Sequence, residues 1–169
     1  MHYWYAIYVN ARHEKKIVLK LIEQNITAYT PIAKKMQQWS DRKKLVEFPM
    51  LSGYVFVKID ISQKEKILRT PNVLGFIKFN GIEANIRESE IEILKSVELT
   101  GYDVTNEVTD LKIGDDVEIT QGALKGLIGK IVQIQNEDYI QLELDSLKQN
   151  IRVKVPKNIL KSTTTLIKI

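Results

Sequence analysis

The sequence has no cysteine and, among its 169 residues, only two histidines, His2 and His13. The absence of cysteine excludes a disulfide framework, a thiol nucleophile and every zinc site that needs cysteine ligands. Two histidines leave little material for a metal centre, and a serine–histidine catalytic pair would have to use one of them. The composition therefore predicts that the chain binds no metal or cofactor.

Long hydrophobic runs are also absent. No stretch of about 18 apolar residues occurs, so the sequence predicts no transmembrane helix. The apolar start of the chain, Met1–Val9, lacks the basic region and the small-residue cleavage site of a signal peptide. Its aromatic and β-branched residues favour a strand instead. We expect a cytoplasmic protein with no membrane association.

The motifs that carry enzyme chemistry are scarce. Residues 122–130 superficially match a phosphate-binding loop. That loop needs glycine and Ser or Thr at two positions where this chain has Leu124 and Ile131. Asp115 and Asp116 are adjacent and have no partner acid at a defined spacing. The sequence therefore predicts a protein that is not an enzyme.

The charges are unevenly distributed along the chain. Residues 1–100 hold 16 lysines and arginines against 11 acidic residues, a balance of +5, whereas residues 101–169 hold 9 against 10, a balance of −1. Five cations crowd into residues 34–44, with one acid opposing them: Lys34, Lys35, Arg42, Lys43 and Lys44. This segment is either ordinary solvated surface or a basic loop facing a polyanion such as nucleic acid. Because the net charge of the whole chain is only +4, contact with nucleic acid is predicted to be auxiliary.

The first hundred residues alternate between strand and helix patterns. Strands are predicted at Tyr3–Val9, Thr27–Ala33, Leu45–Phe48, 54–60 and Val73–Phe79. Helices are predicted after Asn10 and after two capping boxes, Ser62–Glu65 and Ser89–Glu92. Pro71 ends the second helix, and the polar stretch 34–44 is predicted to be a hairpin tip. Residues 1–99 are therefore predicted to form an α+β domain in which helices cover an antiparallel sheet.

The rest of the chain has a different period. Residues 100–109 show no apolar pattern and are predicted to be a linker. In residues 110–169 apolar residues alternate with polar ones, which indicates short strands without helices. Glycines at 114, 122, 126 and 129 are predicted to mark the turns. This second domain is therefore predicted to be a small all-β barrel that serves as an interaction module.

Aromatic residues in the predicted sheet are the most informative side chains. Trp4 and Tyr8 share one face of their strand because side chains alternate with a period of two, and Tyr54 and Phe56 share a face of theirs. Each residue taken alone fits an ordinary core position. On a face without helices, the same residues form an exposed apolar patch of the kind that binds other proteins.

Segments of both halves resemble one known family. Three of them resemble the amino-terminal domain of the NusG family of transcription elongation factors: Trp4–Val9 followed by Arg12, Phe48–Val57, and Arg69–Phe76. Two further segments resemble the KOW motif of that family's second domain: Ile113–Val117 and Gly122–Val132. The resemblance covers almost the whole chain. It implies a NusG amino-terminal domain followed by a small SH3-like KOW barrel.

The resemblance implies a protein that binds the clamp helices of RNA polymerase, keeps the clamp closed and suppresses pausing. The matching apolar positions are Trp4, Tyr8, Tyr54 and Phe56, with Phe76 and Phe79 as further candidates. Auxiliary contacts with the non-template strand or upstream DNA are implied for Arg12, Lys16 and Arg69, together with the cations of residues 34–44. The barrel is implied to bind another factor, such as ribosomal protein S10 or termination factor Rho, through Gly122, Leu124, Lys125 and Gly126. We expect a monomer.

Two departures from the common family pattern bear on function. Leu51–Gly53 stands where the family usually has Phe-Pro-Gly, and Gly122–Leu124 stands where the barrel loop usually has Gly-Pro-Phe. Both differences argue against the usual recruitment of Rho or S10. The segments Leu124–Gly126 and Val155–Leu160 resemble specialised paralogues that act as antiterminators of long polysaccharide or secondary-metabolite operons. Two alternatives stay open: a housekeeping elongation factor that couples polymerase to Rho or the ribosome, and a KOW-type RNA-binding protein.

Overall fold

The computed structural model describes residues 1–99, 113–134, 137–155 and 159–163. Its internal contacts divide the chain into two compact units, Met1–Glu92 and Ile93–Ile169. The boundary falls inside the third helix, whereas the sequence pattern places the end of the first domain at residue 99. The predicted linker, residues 100–109, lies outside the described residues.

The first unit combines strands with helices. Its strands are β1 (Tyr3–Val9), β2 (Thr27–Tyr29), β3 (Ile32–Gln38), β4 (Lys43–Pro49), β5 (Tyr54–Ile59), β6 (Val73–Phe76), β7 (Lys78–Phe79), β8 (Ile82–Glu83) and β9 (Asn85–Ile86). Its helices are α1 (Glu14–Glu23) and α2 (Lys64–Leu68), and α3 (Glu88–Leu99) crosses the boundary between the units. The main sheet has the order β2-β5-β1-β6, and β9 also pairs with β1.

Strand β1 is the centre of this sheet, and its two faces have different roles. The side chains of Tyr5, Ile7 and Val9 are buried in one core cluster with residues of α1 and α2, including Ile17 and Ile67. The alternate residues of β1 point to the other face because side chains of a strand alternate. The sequence pattern therefore predicted the bounds of β1 correctly.

Two predicted strands are each divided in the structure. The segment Thr27–Ala33 is interrupted at Thr30 and Pro31, so that β2 pairs with β5 while β3 pairs with β4. Proline has no N–H with which to continue a ladder, which accounts for the break. The segment Val73–Phe79 is likewise divided into β6 and β7. The prediction of one continuous strand at each place was wrong.

The basic segment 34–44 is mostly strand rather than an open hairpin tip. Strand β3 continues to Gln38 and β4 begins at Lys43, and these two residues pair. The turn between them is closed by the Trp39 N–H, which donates to the Arg42 carbonyl at 2.8 Å. This hairpin is a two-stranded sheet of its own.

The three predicted helix starts are each displaced. Helix α1 follows His13, while the Asn10 side chain instead donates to Oδ1 of Asn72 at 3.0 Å. The capping box before α2 is formed by Asp60, whose carboxylate accepts the Ser62 N–H, and Gln63, whose side chain accepts the Asp60 N–H. Helix α3 begins at Glu88, one residue before the predicted cap. Asn10 therefore has a long-range partner instead of capping α1, and the capping box before α2 is formed by other residues than the predicted ones.

Within residues 110–169 the described part of the second unit is all-β, as predicted, apart from one turn of 3-10 helix at Asp145–Leu147; the end of α3 also belongs to this unit. Its strands are β10 (Asp116–Ile119), β11 (Ile128–Ile134), β12 (Glu137–Leu144), β13 (Gln149–Val153) and β14 (Leu160–Ser162). They form one antiparallel sheet with the order β13-β12-β11-β10-β14. The buried residues alternate along the strands, as Ile140, Leu142 and Leu144 do in β12. The predicted fold class, α+β followed by an all-β domain, is confirmed.

Two further properties follow from the described residues. None of their helices is long and apolar enough to span a lipid bilayer. No group of three or more histidine and acidic side chains among them is arranged to hold a metal ion.

Candidate functional site

A pair of tyrosines on β1 and β5 is the most exposed aromatic feature on the face of the main sheet opposite α1 and α2. Tyr8 and Tyr54 are directly paired across the two strands. Their hydroxyl oxygens lie 3.0 Å apart, and their rings meet edge to face with centroids separated by 4.9 Å. Tyr8 is 43% exposed, whereas Tyr54 is only 9% exposed. Tyr8 therefore offers both a ring and a hydroxyl to a partner.

The hydroxyl of Tyr54 is held in its neutral form. Burial, and after it the hydrogen bond with Tyr8, together raise the pKa of Tyr54 to about 12. A neutral phenol keeps its proton for hydrogen bonding. Tyr54 is thus uncharged at physiological pH, and its contact with Tyr8 orients both rings.

Trp4 and Phe56 lie on the same sheet face as the tyrosine pair, but both are buried. The Trp4 indole N–H donates to the Glu88 carboxylate at 3.1 Å, and Lys58 donates to the same carboxylate at 2.8 Å. The Lys58 ammonium also lies 5.7 Å from the centroid of the Trp4 ring, within cation–π range. These contacts hold Trp4 in one position, so it supports the face rather than being exposed on it.

The structure separates the two remaining aromatic candidates from this group. Phe76 belongs to the core on the opposite face, where its ring meets Tyr5 edge to face at 6.1 Å. Phe79 is half-buried in β7, which pairs with β8 outside the main sheet. A register shift in the β1–β6 ladder, between Tyr8 and Val9, occurs beside these residues. Burial in the core leaves Phe76 with little surface to offer a partner.

A buried carboxylate supports the loop that leads into Tyr54. Glu14, in the first turn of α1, accepts the Gly53 N–H at 2.7 Å. The Gly53 carbonyl accepts the Val9 N–H at 2.8 Å, which ties the loop to the end of β1. Gly53 has a φ of +79°, a conformation that favours glycine. On the other side, the Thr30 hydroxyl donates to the Tyr54 carbonyl at 3.0 Å.

Sequence reasoning missed this buried carboxylate. An acidic residue in the first turn of a helix is expected on the surface, where it interacts favourably with the helix dipole. Its partner at Gly53 is 39 positions away, so no local pattern indicates the contact. Only the glycine before the aromatic strand was a visible signal.

The predicted basic segment carries exposed cations on both strands of its hairpin. Lys34, Arg42, Lys43 and Lys44 are exposed, and the side chain of Lys35 lies outside the described part of the chain. At the base of the hairpin, Glu47 forms ion pairs with Lys15 and Lys34. The hydrogen bond from Lys15 lowers the pKa of Glu47, and Lys34 adds to this effect. This pairing ties the hairpin to α1.

The hairpin also exposes apolar side chains that the sequence reasoning did not single out. Met36 and Leu45 are paired across the two strands and are 56% and 53% exposed. Trp39, in the turn, is 54% exposed. The visible signal was the presence of Met36, Trp39 and Leu45 within an otherwise polar and basic segment.

Three further predicted cations lie beside the helices of the first unit. Arg12 is exposed in the turn between β1 and α1, where its φ is +68°. Lys16 is exposed on α1, and Arg69 is exposed at the end of α2. The two turns that carry the arginines are joined because the Asn10 N–H donates to the Asn72 carbonyl at 3.0 Å. The fold therefore brings Arg12 and Arg69 to neighbouring turns.

In the second unit, the predicted partner-binding loop is divided between surface and core. Gly122, Lys125 and Gly126 are exposed, and both glycines have a positive φ. The side chain of Leu124 is instead fully buried. Leucine at this position therefore packs inward and is not available on the surface of the loop, which corrects its assignment as a contact residue.

Comparison with known proteins identifies the family. A family model described as "Transcription termination factor nusG" matches residues 2–95, more than half of the chain. The chain belongs to the NusG family. It is 28% identical over 148 residues to "Transcription termination/antitermination protein NusG" of Streptococcus pyogenes serotype M3, covering 79% of this chain and 81% of that protein. The protein of the same name from serotype M1 matches with the same values.

A solved structure supports the fold independently. NusG of Thermotoga maritima matches with a TM-score of 0.61 at 19% identity, covering 96% of this chain and 98% of that chain. The resemblance that the sequence motifs indicated is therefore confirmed at the level of family and fold. Members of the NusG family are transcription factors and not enzymes, which agrees with the sequence-based expectation.

Proposed function

We propose that this protein is a cytoplasmic transcription elongation and antitermination factor that binds the clamp helices of RNA polymerase. The contact surface is the tyrosine surface, which we define as Tyr8 and Tyr54 with the buried Trp4 and Phe56 on the same sheet face. The strongest support for this assignment is the hydrogen-bonded Tyr8–Tyr54 pair, in which Tyr8 is exposed, in a chain of the NusG family.

The geometry of the tyrosine surface suits a protein partner. Tyrosine is enriched at protein interfaces because it combines a large apolar ring with a hydroxyl that can still hydrogen bond. Here the ring of Tyr8 is held by Tyr54 in the folded protein, so little side-chain freedom is lost on binding. The loop before Tyr54 is also held in the folded protein, because the Gly53 N–H donates to the Glu14 carboxylate.

The nucleic-acid contacts complete the proposed mechanism. With the amino-terminal unit on the clamp, the cations at Arg12, Lys16 and Arg69 and those of the β3–β4 hairpin contact DNA beside the polymerase. Such contacts add affinity that falls as salt concentration rises. The closed clamp then resists pausing, and terminators are read through.

The operon-specific form of this function has its own support. The loop between β10 and β11 buries Leu124 and leaves Lys125 and two glycines exposed, so in this loop no aromatic side chain is offered to a partner. We propose that the second, KOW-like unit recruits a partner other than Rho and that the protein acts at one or a few long operons. A monomer is sufficient for this mechanism.

A binding experiment tests the polymerase contact. RNA polymerase is immobilised and retention of the full chain is measured for wild type, Tyr8→Ala and Tyr3→Ala. Tyr3 is a matched control because it lies on the same strand, is 45% exposed and is not part of the pair. We expect Tyr8→Ala to weaken binding about tenfold, within the range of an interface hot spot. Equal retention of the two variants would remove the tyrosine surface from the interface.

Two further measurements separate the alternatives. A readthrough assay with purified polymerase shows whether binding produces antitermination, and unchanged readthrough at every terminator tested would contradict that part. Genome-wide occupancy separates an operon-specific factor from a housekeeping one, because the housekeeping factor occupies most transcribed genes. A KOW-type RNA-binding protein would instead bind RNA tightly without polymerase.

A further inference from the structure

The outward face of the sheet in the second unit carries an apolar strip along β11. Ile128 lies on this face and is 63% exposed, whereas Ile131, on the opposite face, is buried. A single exposed isoleucine is common on a protein surface. Here the strip continues into Val132 on the same strand and its cross-strand partner Tyr139 on β12, and both are half-buried. The three side chains share one face because residues alternate along a strand and directly paired residues lie on the same side of the sheet.

The polar side chains between Ile128 and Val132 contact one another. Lys130 Nζ lies 3.4 Å from Oδ1 of Asp116, its cross-strand neighbour on β10. On the other side of the strip, the Arg152 Nε–H donates to Oε1 of Gln141 at 3.4 Å. This row therefore asks for few polar groups from a partner.

Two carboxylates beside Ile128 have no such contact. Glu118 pairs directly with Ile128 in the β10–β11 ladder. Glu143 lies on the β12 side, because the register that pairs Lys130 with Gln141 brings residue 143 next to Ile128. Within the part of the chain that the structure describes, neither glutamate forms a side-chain hydrogen bond or ion pair, not even Glu118 with its β14 neighbour Lys161. Since neighbouring strands are about 4.8 Å apart, the backbones of the two glutamates flank Ile128 about 10 Å from each other.

We propose that this surface, the Ile128 face, binds a basic segment of a partner protein. The face is defined by its apolar strip and the two glutamates: Ile128, Val132, Tyr139, Glu118 and Glu143. Apolar side chains of the partner cover the strip, and its lysines or arginines pair with the glutamates. Charge complementarity of this kind favours the matching partner and excludes others. Nucleic acid is disfavoured because its phosphates would meet two carboxylates.

The Ile128 face lies outside the loop that the sequence indicated for partner binding. Leu124 in that loop is fully buried, whereas Ile128, four residues later, is exposed. The apolar anchor that a protein partner needs is therefore on the strand and not in the loop. The inference rests on the recruiting role of the second unit in the proposed function, and it names the chemistry of the recruited protein.

Amide NMR spectra of the full chain test the Ile128 face with defined probes. The first probe is a peptide of about twelve residues built from Lys-Ser-Leu-Ser repeats, which places lysine and leucine on one side of an extended chain. The second has glutamate in place of each lysine, and the third is oligo(dT) of about twelve nucleotides. At about 50 mM salt, we expect the lysine peptide to shift amide resonances of β10, β11 and β12 in a saturable way. The glutamate peptide and oligo(dT) should leave these resonances unchanged.

Variants assign the binding to the face. Ile128→Thr keeps a β-branched side chain but removes apolar surface, so it should weaken binding of the lysine peptide about tenfold. Leu99→Gln is the matched control, because Leu99 is 79% exposed in the same unit but lies on α3. The double variant Glu118→Gln/Glu143→Gln should weaken binding about fivefold at about 50 mM salt and remove most of its dependence on salt.

Three results would overturn the inference: no saturable shift in β11 with the lysine peptide, unchanged affinity of Ile128→Thr, or equal binding of the glutamate peptide. Shifts of the same amides by oligo(dT) would also overturn it and would indicate a nucleic-acid site. Retention of Ile128→Thr on immobilised RNA polymerase is measured in parallel and should equal that of wild type. Because Tyr8→Ala is expected to keep its affinity for the lysine peptide, failure at the Ile128 face and failure at the tyrosine surface are distinguishable.

Discussion

The carboxylate of Glu14 accepts a hydrogen bond from the backbone N–H of Gly53 at 2.7 Å, and both residues are buried. Glu14 is 1% exposed, so its charge is removed from water almost completely. A buried charge is tolerated only when it is hydrogen bonded. This contact joins the start of α1 to the loop before Tyr54, and it makes the position of the tyrosine surface depend on a residue outside it.

Removal of this carboxylate should destabilise the first unit. Glu14→Ala leaves the buried Gly53 N–H without its charged acceptor, so the free energy of unfolding should fall by about 1.5–3 kcal/mol. Glu14→Gln keeps a weaker, uncharged acceptor, so its free energy of unfolding should lie between those of wild type and Glu14→Ala. Urea unfolding followed by tryptophan fluorescence measures the first unit, because both tryptophans lie in it. Glu23→Ala, exposed on the same helix, is the control. Equal unfolding midpoints for both alanine variants would contradict the role of Glu14.

The tyrosine pair predicts a loss of stability in alkali. The pKa of Tyr54 is raised from 10 to about 12, first by burial and then by Tyr8. The folded state therefore holds this proton more tightly than the unfolded state does. The resulting stability is complete below pH 10 and is lost as the pH rises from 10 towards 12.

Tyr54→Phe should flatten this alkaline decline, because phenylalanine has no proton to lose. The urea midpoint is measured at several pH values between the two pKa values. Tyr3→Phe is the matched control, since Tyr3 is 45% exposed on the same sheet and outside the pair. If both variants decline as steeply as wild type, the hydroxyl of Tyr54 is not the titrating group.

An ion pair between α2 and β8 predicts the opposite dependence in acid. The hydrogen bond from Lys64 lowers the pKa of Glu83 from 4.5 to about 2, and Lys78, 3.5 Å from the same carboxylate, contributes to this shift. The stability from this pairing is present above pH 4.5 and is lost as the pH falls from 4.5 towards 2. The difference in melting temperature between wild type and Glu83→Gln should therefore shrink across this range. Glu65→Gln, exposed on α2, should show a smaller change.

The elements that the sequence predicts well are those decided by local periodicity. The bounds of β1 and the alternation of its side chains depend on residues close in sequence, and both were predicted. The division at Pro31 depends on which strand supplies the partner, since β2 pairs with β5 while β3 pairs with β4. Asn10 is the clearest case, since its side chain bonds to Asn72 instead of capping the helix beside it.

For the candidate site, the sequence likewise predicted which residues share a sheet face but not which of them are exposed. That Trp4 and Tyr8 share a face follows from a period of two, and Tyr54 was predicted on its strand for the same reason. Which of these residues is exposed depends on tertiary packing, such as the contact between Trp4 and Glu88. The inward position of Leu124 also depends on the core of the second unit, so the loop sequence alone did not predict it.

Gly129 provides a test of packing in the second unit. The sequence pattern assigned this glycine to a turn, whereas it lies within β11. A Cβ at this position would lie 2.5 Å from Cγ2 of Ile140 and 2.7 Å from the Gln141 carbonyl oxygen, and the backbone oxygen cannot move without disturbing the ladder. Gly129→Ala should therefore destabilise the second unit by about 1–3 kcal/mol.

Peptide-resolved hydrogen exchange measures this effect, because it reports on β11 and β12 separately from the first unit. Gly129→Ala should speed exchange in both strands and leave β1 and β5 unchanged, since the added methyl group forces the two strands of the second unit apart. Gln133→Ala, an exposed position on the same strand, is the control and should exchange as wild type does. Unchanged protection of β12 in Gly129→Ala would show that Ile140 moves aside at little cost, and the contact would then not require glycine.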